Sequence, residues 1–265
     1  MMSVSRQHLG PYDLRVWRQG EGEGLLYLHG TERHTGDAPF LRRLADERTV
    51  LAPEFPGYGE SLGLGHIHDI HDITLLLREF IEISGYKAVD VVGHSLGGMV
   101  AAELAIVAPQ LVRCLVLVDS YGLWIDDEPM PDAFAMTPLE LENAKWYDPD
   151  KKSLETHPRD GSTPLDLAVE RARNSGTATK FLWPIPDRGL RRRIRYLSTP
   201  TLVVHGDSDG LVPLRYAEEL ARLLPNSELV TISHAGHMPM FEAEDDFVAA
   251  VQKFLAQHQD RHAQA

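Results

Sequence analysis

Short runs of consecutive apolar residues recur along the chain, and several of the stretches between them place apolar residues at helical spacing. Residues 14–17, 25–28, 50–52, 89–92, 115–118, 201–204 and 229–232 read as strands. Most are unbroken Val/Leu/Ile runs, the pattern of strands covered on both faces. Helical patterns fall at 39–47, 70–84, 96–108, 214–224 and 244–257, the last with Phe247, Val248, Val251, Phe254 and Leu255 on one stripe. Strands alternating with helices predict an α/β architecture: a largely parallel sheet with right-handed crossovers. The alternation breaks between about residues 120 and 197, a stretch rich in Pro, Asp, Met and Trp. It is too long for a simple loop, so an insertion with helices of its own is expected above the C-terminal ends of the strands.

Composition narrows the function classes. With 43% apolar residues in 265, the chain can bury a substantial core. A net charge of −13 disfavours nucleic acid or an anionic membrane as partner. The single cysteine, Cys114, excludes an intramolecular disulfide and fits a reducing compartment. Residues 1–10 are polar, without the apolar stretch of a secretory signal, and no run reaches the ~18–20 apolar residues that span a bilayer. A cytoplasmic protein acting on a small molecule is expected. The polar end, residues 258–265, is expected to fray.

The candidate chemistry centres on Ser95, in Gly93-His94-Ser95-Leu96-Gly97, between the apolar run 89–92 and a helical pattern. A sharp strand-to-helix turn lifts the hydroxyl out of the sheet and aims a helix N-terminus at it. The backbone N–H of Leu96 then faces a developing oxyanion. A serine hydroxyl needs a base, and the base needs a carboxylate to orient it. His237 follows the strand at 229–232 and is the leading base, with His234 as competitor. The acid comes from Asp209, Asp207 or Asp119, each just beyond a strand; Asp209 leads, and Asp207 has the alternative role of turn former. A second oxyanion donor is expected from the loop after residues 25–28, as the backbone N–H of Thr31, with His29 holding that loop. A histidine base predicts turnover that falls in acid, where protonation removes its acceptor.

The segments His29-Gly30, 53–61, Gly93 to Gly98, 206–213 and Gly236-His237 together resemble an α/β-hydrolase-fold serine hydrolase of the lidded branch that holds esterases and meta-cleavage-product hydrolases. The resemblance implies Ser95 as nucleophile, Asp209 as acid, His237 as base, and the amides of Thr31 and Leu96 as oxyanion hole. It implies a core domain formed by residues 1–120 and 198–265, with residues 121–197 as a helical lid inserted after the sixth core strand. It implies no metal and no cofactor. Two departures weigh against carbon–carbon hydrolases: Thr31-Glu32-Arg33 replaces their glycine-rich H-G-x-G-P-G stretch, and Met238 stands where they tend to carry Trp.

The insertion's Met and Trp content points to an adaptable apolar cavity. Trp124, Phe134, Trp146, Phe181 and Trp183 are its candidate lining residues, with Met238 beside the base. Arg188, Arg191, Arg192 and Arg195 fall on one helical face opposite Leu190, Ile194 and Leu197. Arg188 is the candidate to hold a substrate carboxylate. The run His66 to Asp72 holds three histidines and two aspartates, but Asp69 reads as the cap of the following helix rather than as a metal ligand. The leading function is hydrolysis of a small to medium apolar ester or lactone. The alternatives are cleavage of meta-cleavage dienoates and a non-catalytic ligand receptor.

Overall fold

The computed structural model describes residues 2–33, 36–154 and 163–258. Nearly all of the terminal tail expected to fray, and part of the expected insertion, lie outside these. The strands are β1 (Ser3–Leu9), β2 (Tyr12–Gln19), β3 (Gly24–Leu28), β4 (Thr49–Pro53), β5 (Val89–His94), β6 (Val112–Val118), β7 (Thr201–Gly206) and β8 (Ser227–Ile232). The helices are α1 (Pro39–Leu44), α2 (Ile70–Ile83), α3 (Leu96–Val107), α4 (Pro138–Lys145), α5 (Pro164–Leu182), α6 (Leu190–Arg193), α7 (Leu214–Leu223), α8 (Pro239–Glu242) and α9 (Glu244–Gln257).

The eight strands form one sheet in the order β1-β2-β4-β3-β5-β6-β7-β8. From β4 to β8 all neighbours pair in parallel, while β1–β2 and β2–β4 are antiparallel. Two apolar layers cover the sheet: one packs α2, α3 and α7 onto it, the other α1, α8 and α9. The strands β3 to β7 are buried along their whole length, in keeping with their mostly apolar sequences. Helix α3 crosses behind the middle of the sheet with ten of its twelve residues buried. Its one buried charge, Glu103, is met by Arg193 at 2.8 Å.

The pattern of apolar runs missed β1. Its polar sequence Ser-Val-Ser-Arg-Gln-His-Leu lies on the sheet edge, exposed for most of its length, and pairs only with β2. An edge strand that leaves most of its side chains in solvent has no apolar run to reveal it. At the opposite edge, β8 is likewise mostly exposed.

Asp69 does cap α2, accepting hydrogen bonds from the backbone N–H groups of His71 and Asp72, and Asp72 reciprocates. Leu190, Ile194 and Leu197 are buried as the expected stripe. Between β6 and β7 the chain forms α4, α5 and α6 and no strand among the described residues. No helix among them is long and apolar enough to cross a membrane.

At the end of the sheet opposite the serine, Asp90 of β5 is completely buried and receives hydrogen bonds from Arg48 and Arg113, each at 2.8 Å. Removing the carboxylate would take from the buried Arg48 guanidinium its partner and leave Arg113 with Glu23 alone. Asp90→Ala is therefore expected to lower the unfolding free energy by about 3–5 kcal/mol, measured by urea denaturation.

Candidate active site

The C-terminal ends of β5, β7 and β8 deliver three side chains to one point. Ser95 follows β5 and precedes α3 with φ of 57°, a conformation non-glycine residues seldom adopt. Its backbone is fixed from both sides: its N–H donates to Val118 O at 2.8 Å and its carbonyl accepts from Tyr121 N at 3.2 Å. The turn is that tight because Gly97 passes against β3, where a Cβ would sit 2.2 Å from Leu28 O. Gly30 brings the loop after β3 just as close: a Cβ there would lie 2.9 Å from Ser95 Cβ.

Ser95 Oγ–H donates to His237 Nε2 at 2.9 Å, and His237 Nδ1–H donates to Asp209 Oδ2 at 2.7 Å. All three side chains are buried. Asp209 Oδ1 accepts from the N–H groups of Leu211 and Val212, which fixes the carboxylate's rotation. Burial pushes the Asp209 carboxyl up, but the opposing pull of His237, His205 and the backbone donor prevails and holds it below its ordinary range. Leu96 is the first residue of α3, so its N–H has no acceptor within the helix. Thr31 directly follows Gly30, whose loop lies against the Ser95 turn.

His234 and Asp207 stand apart from this line. His234 is exposed, and its N–H donates to Asp207 Oδ1, so Asp207 links the loop after β7 to the loop after β8. His29 holds its loop as expected: Nδ1–H donates to Gly30 O and Nε2 accepts from Phe55 N, each at 2.9 Å. Burial pushes its pKa down to about 4, so it stays neutral.

His94 escaped the sequence reading. It is the variable residue of the serine pentapeptide, and its ring Nε2–H donates to His237 O at 2.8 Å, tying the loop after β8 to the turn. Burial, then the neighbouring His237, keeps it neutral.

Asp119, the third acid candidate, lies beneath the line and is fully buried. Its Oδ1 accepts from Gly206 N at 3.0 Å, while Oδ2 has no donor within reach. Burial, followed by the charge of Asp209, raises its pKa well above its ordinary value. Asp119, Asp209 and His237 hold potential ligand atoms within 4.8 Å of one another. The Asp209–His237 hydrogen bond already engages two of these three groups.

The stabilisation such a raised acid contributes is complete below its unfolded-chain pKa of ~3.9 and is lost as pH rises toward the folded value. Asp119→Asn removes this dependence, keeps the Gly206 contact, and suits the positive φ of 44° at this position. It is expected to leave turnover within a few-fold. It should raise Tm by roughly 2–4 °C at pH 8, the shift about 1 kcal/mol produces at this size, and by less at pH 5.

Two cavities that share Tyr121, Ala133, Phe134 and Leu182 adjoin the site, each opening about 420 Å³ counted out to solvent. One reaches Thr31 and Glu32, the other Trp124 and Met130. Among the candidate binding residues, Phe134 lines both cavities and Trp124 one of them.

Five candidate binding residues do not. Trp146, Phe181 and Met238 are buried in the core layers, where size and apolarity serve packing equally well. Trp183 is 56% exposed at the end of α5. Arg188 turns back onto the helix end, donating to the carbonyls of Phe181, Lys180 and Trp183. The last carbonyls of a helix need donors, and here they outbid any ligand for this arginine. Tyr121 and Glu32 line the cavities without having stood out in sequence. Tyr121 could have been found from its place two residues beyond the β6 acid position.

A mostly parallel sheet that presents a serine on a strand-to-helix turn defines the α/β-hydrolase class. The chain belongs to the alpha/beta hydrolase family, whose model matches residues 25–251. It is 29% identical over 276 residues to 2-hydroxymuconate semialdehyde hydrolase of Pseudomonas putida, covering 95% of this chain and 94% of that protein. It is 26% identical to a pimeloyl-(acyl-carrier protein) methyl ester esterase of Aliivibrio fischeri, covering 91% and 96%. Among solved structures, a 2-hydroxy-6-oxo-6-phenylhexa-2,4-dienoate hydrolase from a Rhodococcus strain superposes with a TM-score of 0.77 at 19% identity, over 97% of this chain and all of that one. That level of identity speaks to fold alone.

Proposed function

We propose that this protein is a serine hydrolase that cleaves a carboxylic ester or lactone of a small to medium apolar acyl group. The observation that carries the reading is the unbroken line from Asp209 Oδ2 through His237 to Ser95 Oγ, at 2.7 and 2.9 Å. Ser95 Oγ attacks the substrate carbonyl while its proton passes to His237 Nε2. Asp209 stabilises the imidazolium that forms, and the amides of Thr31 and Leu96 receive the oxyanion. His237 then protonates the leaving alkoxide. Water, deprotonated by the same nitrogen, attacks the acyl-enzyme and releases Ser95. No step calls for a metal or cofactor. Residues 121–197 serve as a helical lid on a core of residues 1–120 and 198–265.

Ester cleavage is favoured over dienoate cleavage by the cavity lining. A dienoate carries a carboxylate, and Arg188, the residue expected to hold it, is spent on carbonyls. Among the described residues neither cavity is lined by a Lys or Arg. Side-by-side turnover of p-nitrophenyl esters of rising acyl length and of meta-cleavage dienoates tests the reading. A chain-length optimum among esters is expected. Dienoate turnover exceeding ester turnover would overturn the ester assignment, and binding without turnover on any substrate would favour a receptor.

A further inference from the structure

The helices between β6 and β7 touch each catalytic loop with polar contacts. The last turn of α4 offers two carbonyls that accept no bond within the helix. Ala144 O accepts from Gly210 N at 2.9 Å, next to Asp209, and Lys145 O accepts from His237 N at 2.8 Å. One helix end therefore ties the acid's loop to the base's loop. Helix α5 does the same for the loop after β3, here with side chains. Asn174 Nδ2 donates to Glu32 Oε2 at 3.0 Å, and Arg33 pairs with Glu170. Glu170 and Asn174 are four residues apart, on one face of α5. Glu32 and Arg33 directly follow Thr31.

Asn174 is 1% exposed, and its Oδ1 has no partner. Burying an amide with half its capacity unmet is unfavourable, and the bond to Glu32 offsets part of that cost. The other polar anchors of α5 go elsewhere: Arg173 donates to Gly59 O, and Lys180 to Leu64 O and Ile67 O. Those hold the helix down without touching the loop of Thr31.

We propose that Asn174 and Glu170 are positioning residues for the oxyanion hole: through Glu32 and Arg33 they fix the Thr31 amide against the Ser95 turn. The inference rests on the serine-hydrolase reading above. It separates two functions of α5, covering the cavity and setting the geometry of a transition-state donor. Misplacing that donor weakens an interaction realised in the transition state and leaves substrate binding in place, so it lowers kcat and not 1/KM.

The test compares Asn174→Asp, Asn174→Ala, Glu170→Ala and, as control, Arg173→Ala on one p-nitrophenyl ester. A second readout is affinity for an alkylboronic acid. There the Ser95 oxygen bonds to boron as His237 takes the hydroxyl proton, and a boron-bound oxygen enters the hole. Asn174→Asp sets a carboxylate against Glu32. It is expected to lower kcat by about tenfold or more, short of the ~10²–10³-fold cost of deleting a donor outright, and to weaken boronate binding in proportion. KM should stay within about threefold. The double variant Glu32→Gln/Asn174→Asp reverses donor and acceptor and should restore both readouts.

Asn174→Ala and Glu170→Ala should shift kcat in the same direction by less, and they carry the test should Asn174→Asp fail to fold. Arg173→Ala should leave kcat unchanged. The proposal is overturned by unchanged kcat in the folded Asn174 and Glu170 variants, by an equal loss in Arg173→Ala, or by a double variant that recovers Tm but not kcat. Turnover that survives Ser95→Ala would instead overturn the serine reading itself.

Discussion

Ser95→Ala is expected to lower kcat on the best ester by a factor on the order of 10⁶, as loss of a triad nucleophile does elsewhere. The size of the effect follows from the geometry. Ser95 Oγ donates its hydrogen bond to the base, at 2.9 Å, from the N-terminus of α3. Alanine removes that atom and leaves the backbone of the turn, with its bonds to Val118 and Tyr121, in place. Circular dichroism should therefore match wild type, and the variant should still bind substrate. A folded Ser95→Ala protein that keeps more than about one part in a hundred of wild-type turnover would sink the mechanism, since no single effect other than covalent catalysis is then being removed.

Asp209→Asn is expected to cost about 10⁴-fold in kcat, with KM little changed. The carboxylate demands a proton on His237 Nδ1, which leaves Nε2 free to accept from Ser95. An amide placed with its NH₂ toward Nδ1 reverses that preference and presents a protonated Nε2 to the hydroxyl. Asp119 lies close enough to raise the question of which aspartate is the acid. The two answers predict opposite rankings. With Asp209 as acid, Asp209→Asn is crippled and Asp119→Asn is nearly normal. The reverse ranking would move the role to the carboxyl after β6. Asp119 is the poorer candidate because burial and its charged neighbour raise its pKa, and a carboxyl pushed toward its neutral form gives an imidazolium less charge to lean on.

The chain's sequence determined the α/β class and the triad candidates because both have local causes. A strand buried on both faces is mostly apolar, so β3, β5, β6 and β7 are visible as apolar runs, interrupted in β5 by Asp90. A strand-to-helix turn that brings backbone within van der Waals reach of β3 needs glycine at Gly97, so the serine's setting is written in five consecutive residues. The cap at Asp69 is equally local, made within one turn of helix. Strand β1 stayed hidden because its partner, not its own composition, makes it a strand.

The tertiary structure decided everything that depends on which way a side chain turns. It put His237 rather than His234 beside Ser95, although both lie on one short loop. It set Asp209 Oδ2 against His237 Nδ1 and turned Asp119 Oδ1 to the N–H of Gly206. It placed Trp146, Phe181 and Met238 in the core while Trp124 and Phe134 reached the cavity, a division invisible to composition because apolar residues fill cores and line pockets alike. It spent Arg188 on helix-end carbonyls. Patterns along a chain report periodicity and backbone demand, whereas a binding site is formed by residues far apart in sequence whose mutual distances are fixed only once the whole sheet has closed over its helices.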